Sequence, residues 1–194
     1  KGKKVALLDG DLRHPSIAYA MGIKTKLHGI ADVLNKSADL KSVMVRYGEY
    51  ELDILPGRGS VKNPTVLLGN GYLERLLRVL RKNYDYVIVD TPPCGMLSDA
   101  STIARMTDGA VMVVRQDSAR IDRILNGVEN IADTGTDLIG YVLNGTEMGI
   151  TGYGYGYGYG YGYGYGYGYG HYGHYGKKVY GYGEKPKSRR HSIK

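Results

Sequence analysis

The sequence predicts an α/β domain of the doubly wound class, built on a mostly parallel sheet and followed by a disordered C-terminal tail. Three observations carry that prediction. Short apolar strands alternate with amphipathic helices through residues 1–150, the pattern of a parallel sheet covered on both faces. Two of those strands stop at aspartates, as Asp9-Gly-Asp11 and Asp90-Thr-Pro-Pro93, on the rim where such sheets bind ligands. From Thr151 onward the chain is almost entirely Tyr, Gly, His and Lys/Arg, which supplies almost no aliphatic side chains for a core. The domain is therefore expected at 1–150 and the tail at 151–194.

Val5-Ala-Leu-Leu8 is a short apolar run entering the Asp9-Gly-Asp11 turn, as a buried parallel strand runs into a loop. Leu52-Asp-Ile-Leu55, closed by Pro56-Gly57, predicts a second strand. Between Gly71 and Asn83, Leu73, Leu76, Leu77 and Leu80 recur at helical spacing with Arg and Lys opposite, an amphipathic helix whose leucine stripe is core. Tyr86-Val-Ile-Val89 follows as a third strand. Asp99 to Met106 predicts a short helix capped by Ser98 or Asp99, and Ala110-Val-Met-Val-Val114 a fourth strand. Ile121 to Thr134 predicts a second long helix with Ile124, Leu125, Val128 and Ile131 on one face, and Leu138 to Asn144 a fifth strand.

The formal net charge of +7 divides unevenly at that boundary. Residues 1–150 hold 19 Lys/Arg against 18 Asp/Glu, whereas the tail sets Lys177, Lys178, Lys185, Lys187, Arg189, Arg190 and Lys194 against Glu184 alone. The folded part thus shows no basic excess of the kind that binds nucleic acid. Cys94 is the single cysteine, so no internal disulfide forms and a reducing cytoplasm is the simpler setting. No run approaches the roughly 20 apolar residues of a membrane span.

Asp9, Asp11 and Asp90 fall together on the sheet rim, and such a rim suits Mg²⁺, which takes one or two carboxylates and fills its shell with water and substrate phosphates. Taken singly, each aspartate is as readily a loop cap; an apolar strand before each group favours the metal reading. Arg13 steadies the loop or a phosphate, or pairs with a neighbouring aspartate. Cys94 beside Pro93 reads as a passive small residue rather than a redox site. His14 reads as a solvated loop histidine, and Arg120 and Arg123 as surface charges.

Val5-Ala-Leu-Leu-Asp-Gly-Asp-Leu-Arg-His-Pro-Ser16 resembles the second nucleotide-site motif, Walker A′, of the bacterial tyrosine kinases of capsule and exopolysaccharide synthesis, and Val87-Ile-Val-Asp-Thr-Pro-Pro93 resembles their Walker B. Gly29 to Leu34, Leu52 to Gly57 and Asn63 to Leu68 follow the family's pattern in order, and the likeness runs through Asn144. The resemblance implies a P-loop NTPase-like fold related to partition ATPases, with ATP and Mg²⁺ as cofactors. It implies Asp9 as the carboxylate that takes the proton of the attacking tyrosine, with Asp11 and Asp90 holding Mg²⁺ directly or through water, in keeping with phosphoryl-transfer chemistry. Arg13 and Asn144 are the candidate nucleotide contacts, Asn144 resembling an asparagine that meets adenine in related ATPases, although Asn-Gly is also an ordinary turn.

No G-x-x-x-x-G-K-[ST] loop occurs in the sequence. In the family that loop precedes the A′ strand, so it is expected before Lys1, together with the helix motif for homo-oligomeric ring assembly. This C-terminal fragment is then expected to lack a strand near the centre of its sheet and to be inactive alone. The resemblance further implies a membrane-embedded activator of the polysaccharide co-polymerase type, a cognate tyrosine phosphatase, and a cytoplasmic location at the inner face of the membrane through that activator.

The tail repeats Tyr-Gly nine times from Tyr153 to Gly170. Glycine at every second position maximises chain entropy, and tyrosine alone does not offset the ~1–2 kcal/mol needed to order each residue. A mobile tail lets many hydroxyls visit one active site. The phosphoacceptors implied are Tyr153, Tyr155, Tyr157, Tyr159, Tyr161, Tyr163, Tyr165, Tyr167, Tyr169, Tyr172, Tyr175, Tyr180 and Tyr182. Each phosphate adds roughly −1.5 to −2 charges, so about four overturn the tail's basic excess. Two other readings compete: a partition or division-site ATPase that transfers phosphate to water, and a Tyr/Gly segment that self-associates by ring stacking.

Overall fold

The computed structural model describes residues 2–24, 27–48 and 50–146. The chain divides into two units, Lys1–Met148 and Gly149–Lys194, and all described elements belong to the first. The tail, with its thirteen candidate phosphoacceptors, and the expected boundary at 150 lie outside the described residues.

In chain order the elements are β1 (Val5–Asp9), α1 (Ile17–Ala20), α2 (Ile30–Leu34), α3 (Leu40–Val43), β2 (Val45–Arg46), β3 (Leu52–Leu55), α4 (Pro64–Gly69), α5 (Tyr72–Arg81), β4 (Tyr86–Asp90), α6 (Asp99–Ala104), β5 (Gly109–Arg115), α7 (Ile121–Ala132) and β6 (Asp137–Asn144). Every strand and long helix expected from the sequence is present. The five missed elements, α1 to α4 and β2, run two to six residues each, too short to display a period. Local chemistry still explains two of them. Asp32 accepts the Gly29 N–H at 2.8 Å at the start of α2, and Pro64 opens α4, where a missing N–H costs nothing.

β1 and β3 are the inner strands of a four-stranded sheet of order β2-β3-β1-β4, and β1 lies between β3 and β4. It runs parallel to β3 and β4, with Leu8 opposite Leu55 and Val89, and Asp9 opposite Asp90. β2 adds antiparallel to β3. β5 and β6 form a separate parallel pair. Among the described residues β4 and β5 do not pair with each other, so the strands fall into two sheets. Tyr86 and Ile88 on β4, and Val111 and Val113 on β5, are correspondingly exposed.

Ala6, Leu8 and Leu55 are wholly buried against α2, α4 and α5. The leucines of α5 all face inward, and burying each is worth about 1.5–3 kcal/mol. The exposed Glu74–Arg78 pair of α5 at 2.8 Å adds only about 0.2–0.5 kcal/mol, so core packing rather than surface charge holds this helix. α7 departs from expectation. Ile131 is buried, Ile124 and Val128 are half-buried, but Leu125 is 54% exposed and Gly127 takes the inner place. A Cβ on Gly127 would sit 2.8 Å from Cys94 Sγ, so the stripe runs through 124, 127, 128 and 131. Among the described residues no helix is long and apolar enough to cross a membrane.

Candidate nucleotide and metal site

The site is built where β1 and β4 end side by side. Gly10 donates its N–H to the Asp90 carbonyl at 2.9 Å, and a Cβ at Gly10 would lie 2.4 Å from that same oxygen. Only glycine permits this approach, and it sets the carboxyl-bearing tips of the two strands next to each other.

Asp9 is 0% exposed. Its Oδ2 accepts the Ile17 N–H at 3.1 Å, while Oδ1 is buried without a hydrogen-bond partner. Burial, joined by the charges of Asp90 and Asp11, raises its carboxyl to about 6, although the Ile17 and Gly57 amides pull the other way. Asp11 is also buried, and its Oδ1 accepts the N–H groups of Arg13 and His14 at 3.0 and 2.9 Å. Asp90 sits at the exposed tip of β4. Desolvation first and the Asp11 charge second hold its carboxyl above the usual range.

These three carboxylates repel one another, and a buried acceptor among them lacks a donor. That combination suits a divalent cation. Among the described residues, no group of three or more His, Cys, Asp or Glu side chains is placed to hold a metal ion by itself. Mg²⁺ fits such a rim, because it uses one or two carboxylates and takes its remaining ligands from water and phosphate.

The other predicted residues fall differently. The Arg13 guanidinium pairs with Asp99, Nε to Oδ2 at 2.6 Å and Nη2 to Oδ1 at 3.2 Å. Asn144 ends β6 on the separate strand pair, exposed, and its Oδ1 accepts the Gly145 N–H at 2.8 Å, which is the turn chemistry. Cys94 is half-buried against α7, and burial pushes its thiol up, away from reactivity. His14 lies on the surface, as do Arg120, paired with Asp122 at 3.0 Å, and Arg123.

Three residues at the site escaped the sequence reading. Gly57 lies against Asp9, since a Cβ there would stand 3.2 Å from Asp9 Cγ and 2.2 Å from Pro15 Cβ. Asp99 and Thr65 bond each other beside Arg13, Thr65 Oγ1 to Asp99 Oδ1 at 2.7 Å. Asp99 was legible only as a helix start, because its partners lie 86 and 34 positions away.

Known proteins share this fold. The AAA domain family matches residues 1–140. The tyrosine-protein kinase CpsD of Streptococcus pneumoniae serotype 4 is 30% identical over 152 residues, 78% of this chain and 67% of that protein. The kinase domain of Escherichia coli tyrosine kinase ETK superposes with a TM-score of 0.69 at 29% identity, covering 80% of this chain and 61% of that one. The septum site-determining protein MinD of Pyrococcus horikoshii, complexed with Mg-ADP, superposes with a TM-score of 0.61 at 21% identity over 73% of this chain and 58% of its own, a likeness of fold alone. The chain therefore spans about three fifths to two thirds of the length of these relatives.

Proposed function

The chain belongs to the AAA domain family and, within it, to the bacterial tyrosine kinases, and on that premise we propose that its full-length protein transfers the γ-phosphoryl group of ATP to its own C-terminal tyrosines, Tyr153 to Tyr182. The observation that carries this reading is the carboxylate rim. Asp9, with a pKa near 6, is a base tuned close to neutral pH, and Asp11 and Asp90 flank it.

In the proposed step the phenol oxygen bonds to the γ-phosphorus, the bond from γ-phosphorus to the bridging oxygen breaks, ADP leaves, and the phenolic proton passes to Asp9. Asp11 and Asp90 would hold Mg²⁺, which supplies neutralisation of phosphate charge when bound. Arg13 N–H and His14 N–H fix the Asp11 carboxylate from the protein side. Because Asp9 has no exposed surface, a tyrosine reaches it only after the groups that enclose it move. The grip on the β- and γ-phosphates is assigned to a glycine-lysine loop upstream of this chain. The protein is further proposed to work as a homo-oligomer at the inner face of the membrane, with a co-polymerase-type activator and an opposing phosphatase, in capsular or exopolysaccharide export.

The test uses the full-length protein with Mg·ATP and maps phosphotyrosine by mass spectrometry. Modification is expected within 153–182, and Asp11→Asn and Asp90→Asn should each lower it by about 10²-fold or more, the scale of losing one charge-stabilising group. Unchanged labelling in both variants would remove their roles. ADP release without any phosphotyrosine would instead return the chain to the division-site ATPase reading.

A further inference from the structure

Asp99 is 1% exposed and both its oxygens are engaged. Oδ2 takes Arg13 Nε at 2.6 Å, and Oδ1 takes Arg13 Nη2 at 3.2 Å and Thr65 Oγ1 at 2.7 Å. Arg13 Nη2 also reaches Thr65 Oγ1 at 3.2 Å. The three side chains come from separate elements: the loop after β1, the first turn of α4 and the first residue of α6. A forked guanidinium on a buried carboxylate is the charge-assisted geometry that Arg provides and Lys does not.

The position of this fork distinguishes it from an ordinary ion pair. Arg13 follows Asp11 by two residues, and its own N–H is one of the two donors on Asp11 Oδ1. Asp99 closes the 91–98 connection that begins at Asp90. One side chain therefore ties together the two loops that carry the flanking carboxylates. Buried ion pairs contribute little net stability against an apolar replacement, so stability alone does not account for one placed here. What a fork does supply is a fixed distance and angle between the loops it joins.

The geometry points to Asp99 as a positioning residue: through the Arg13 fork, with Thr65 as its brace, it fixes the Asp11 and Asp90 loops in the relative position that receives a metal-bound triphosphate. This rests on the kinase reading above. Asp99 touches no reacting atom; it acts through Arg13, and Arg13 acts through its N–H on Asp11.

The experiment takes the full-length protein, Arg13→Gln, Asp99→Asn and the double variant. It reads amide exchange at Arg13 and His14 by NMR without nucleotide, and the free Mg²⁺ giving half-maximal phosphotransfer at saturating ATP. Each single variant should speed both amides about tenfold by loosening the loop. Each should also raise the half-saturating Mg²⁺ about tenfold while the rate at saturating Mg²⁺ stays within about threefold. Because the two residues act as one unit, the double variant should be no worse than the worse single. Unchanged exchange, or losses that add in the double, would overturn the proposal, additive losses meaning that Arg13 meets phosphate on its own account. Should Asp99→Asn fail to fold, Arg13→Lys retains the charge on a side chain already 33% exposed but loses the fork. The same Mg²⁺ shift is expected there, and its absence would also overturn the assignment. If the parent makes no phosphotyrosine at all, the kinase reading falls, while the exchange rates still decide whether the fork orders the Asp11 loop.

Discussion

Asp9→Asn in the full-length protein is expected to cut phosphotransfer by about 10²–10⁴-fold, the usual worth of a positioned base, while raising thermal stability at pH 7.5. Both effects come from one carboxyl. Burial raises its folded pKa to about 6 from the ordinary 3.8, so the stability tied to this group is full below the lower figure and is lost as pH rises through the upper one. Above pH 6 the buried charge costs on the order of 3 kcal/mol. Asparagine removes the charge and keeps an acceptor for the Ile17 N–H, but it places an NH2 group at the buried, unpartnered Oδ1 position. A net gain of about 1–2 kcal/mol, or roughly 2–8 °C in Tm, is therefore expected. Paired melts at pH 5 and 7.5 check this, since the gap should narrow at pH 5, where the parent carboxyl is mostly protonated. A variant less stable than its parent at pH 7.5 would show that the charge is not the burden assigned to it. In the parent, phosphotransfer should rise through pH 6 and level off above it, and a flat profile would take the proton-accepting role from Asp9.

Much of this arrangement was legible before any coordinates. The strands ending at Asp9 and Asp90 announce themselves because four apolar residues followed by a charge cannot sit comfortably anywhere but a sheet rim. The α5 stripe is equally plain, since Leu73, Leu76, Leu77 and Leu80 satisfy one period over ten residues. What the sequence conceals is whatever depends on long-range partners. Arg13 and an acidic partner are visible separately, but nothing in the spacing selects Asp99, 86 positions away, over Asp11, two away. The burial of Asp9 is hidden for the same reason: the Ile17 amide and Gly57 that enclose it lie on elements too short or irregular to register. Leu125 shows the complementary error, where a hydrophobic residue assigned to the predicted stripe is left outside because Gly127 makes the close contact with Cys94.

Gly10→Ala should be strongly damaging for a change of a single methyl group. The added carbon would lie 2.4 Å from the Asp90 carbonyl oxygen, 2.8 Å from Val89 Cγ1 and 3.1 Å from Ile103 Cδ1. The first of these is backbone, which cannot rotate away, so β1 and β4 must separate at the point where Asp9 and Asp90 are register partners. Overpacking of this kind costs about 1–3 kcal/mol, which corresponds to a fall of roughly 2–12 °C in Tm. The loss of function should exceed the loss of stability. A displacement of about 1 Å among catalytic groups can lower a rate by about 10²-fold, and the methyl group acts directly on the spacing of two of the three carboxylates. Gly69→Ala is the matched control, because a Cβ there meets nothing within 4 Å and ends a helix, where alanine is neutral or stabilises by about 0.4–1 kcal/mol. Melting curves and phosphotyrosine yields for the two variants separate the causes. If Gly10→Ala melts with Gly69→Ala and labels its tail as well as the parent does, the β1 and β4 tips have freedom to part, and the close approach at Gly10 does not set the spacing of the site.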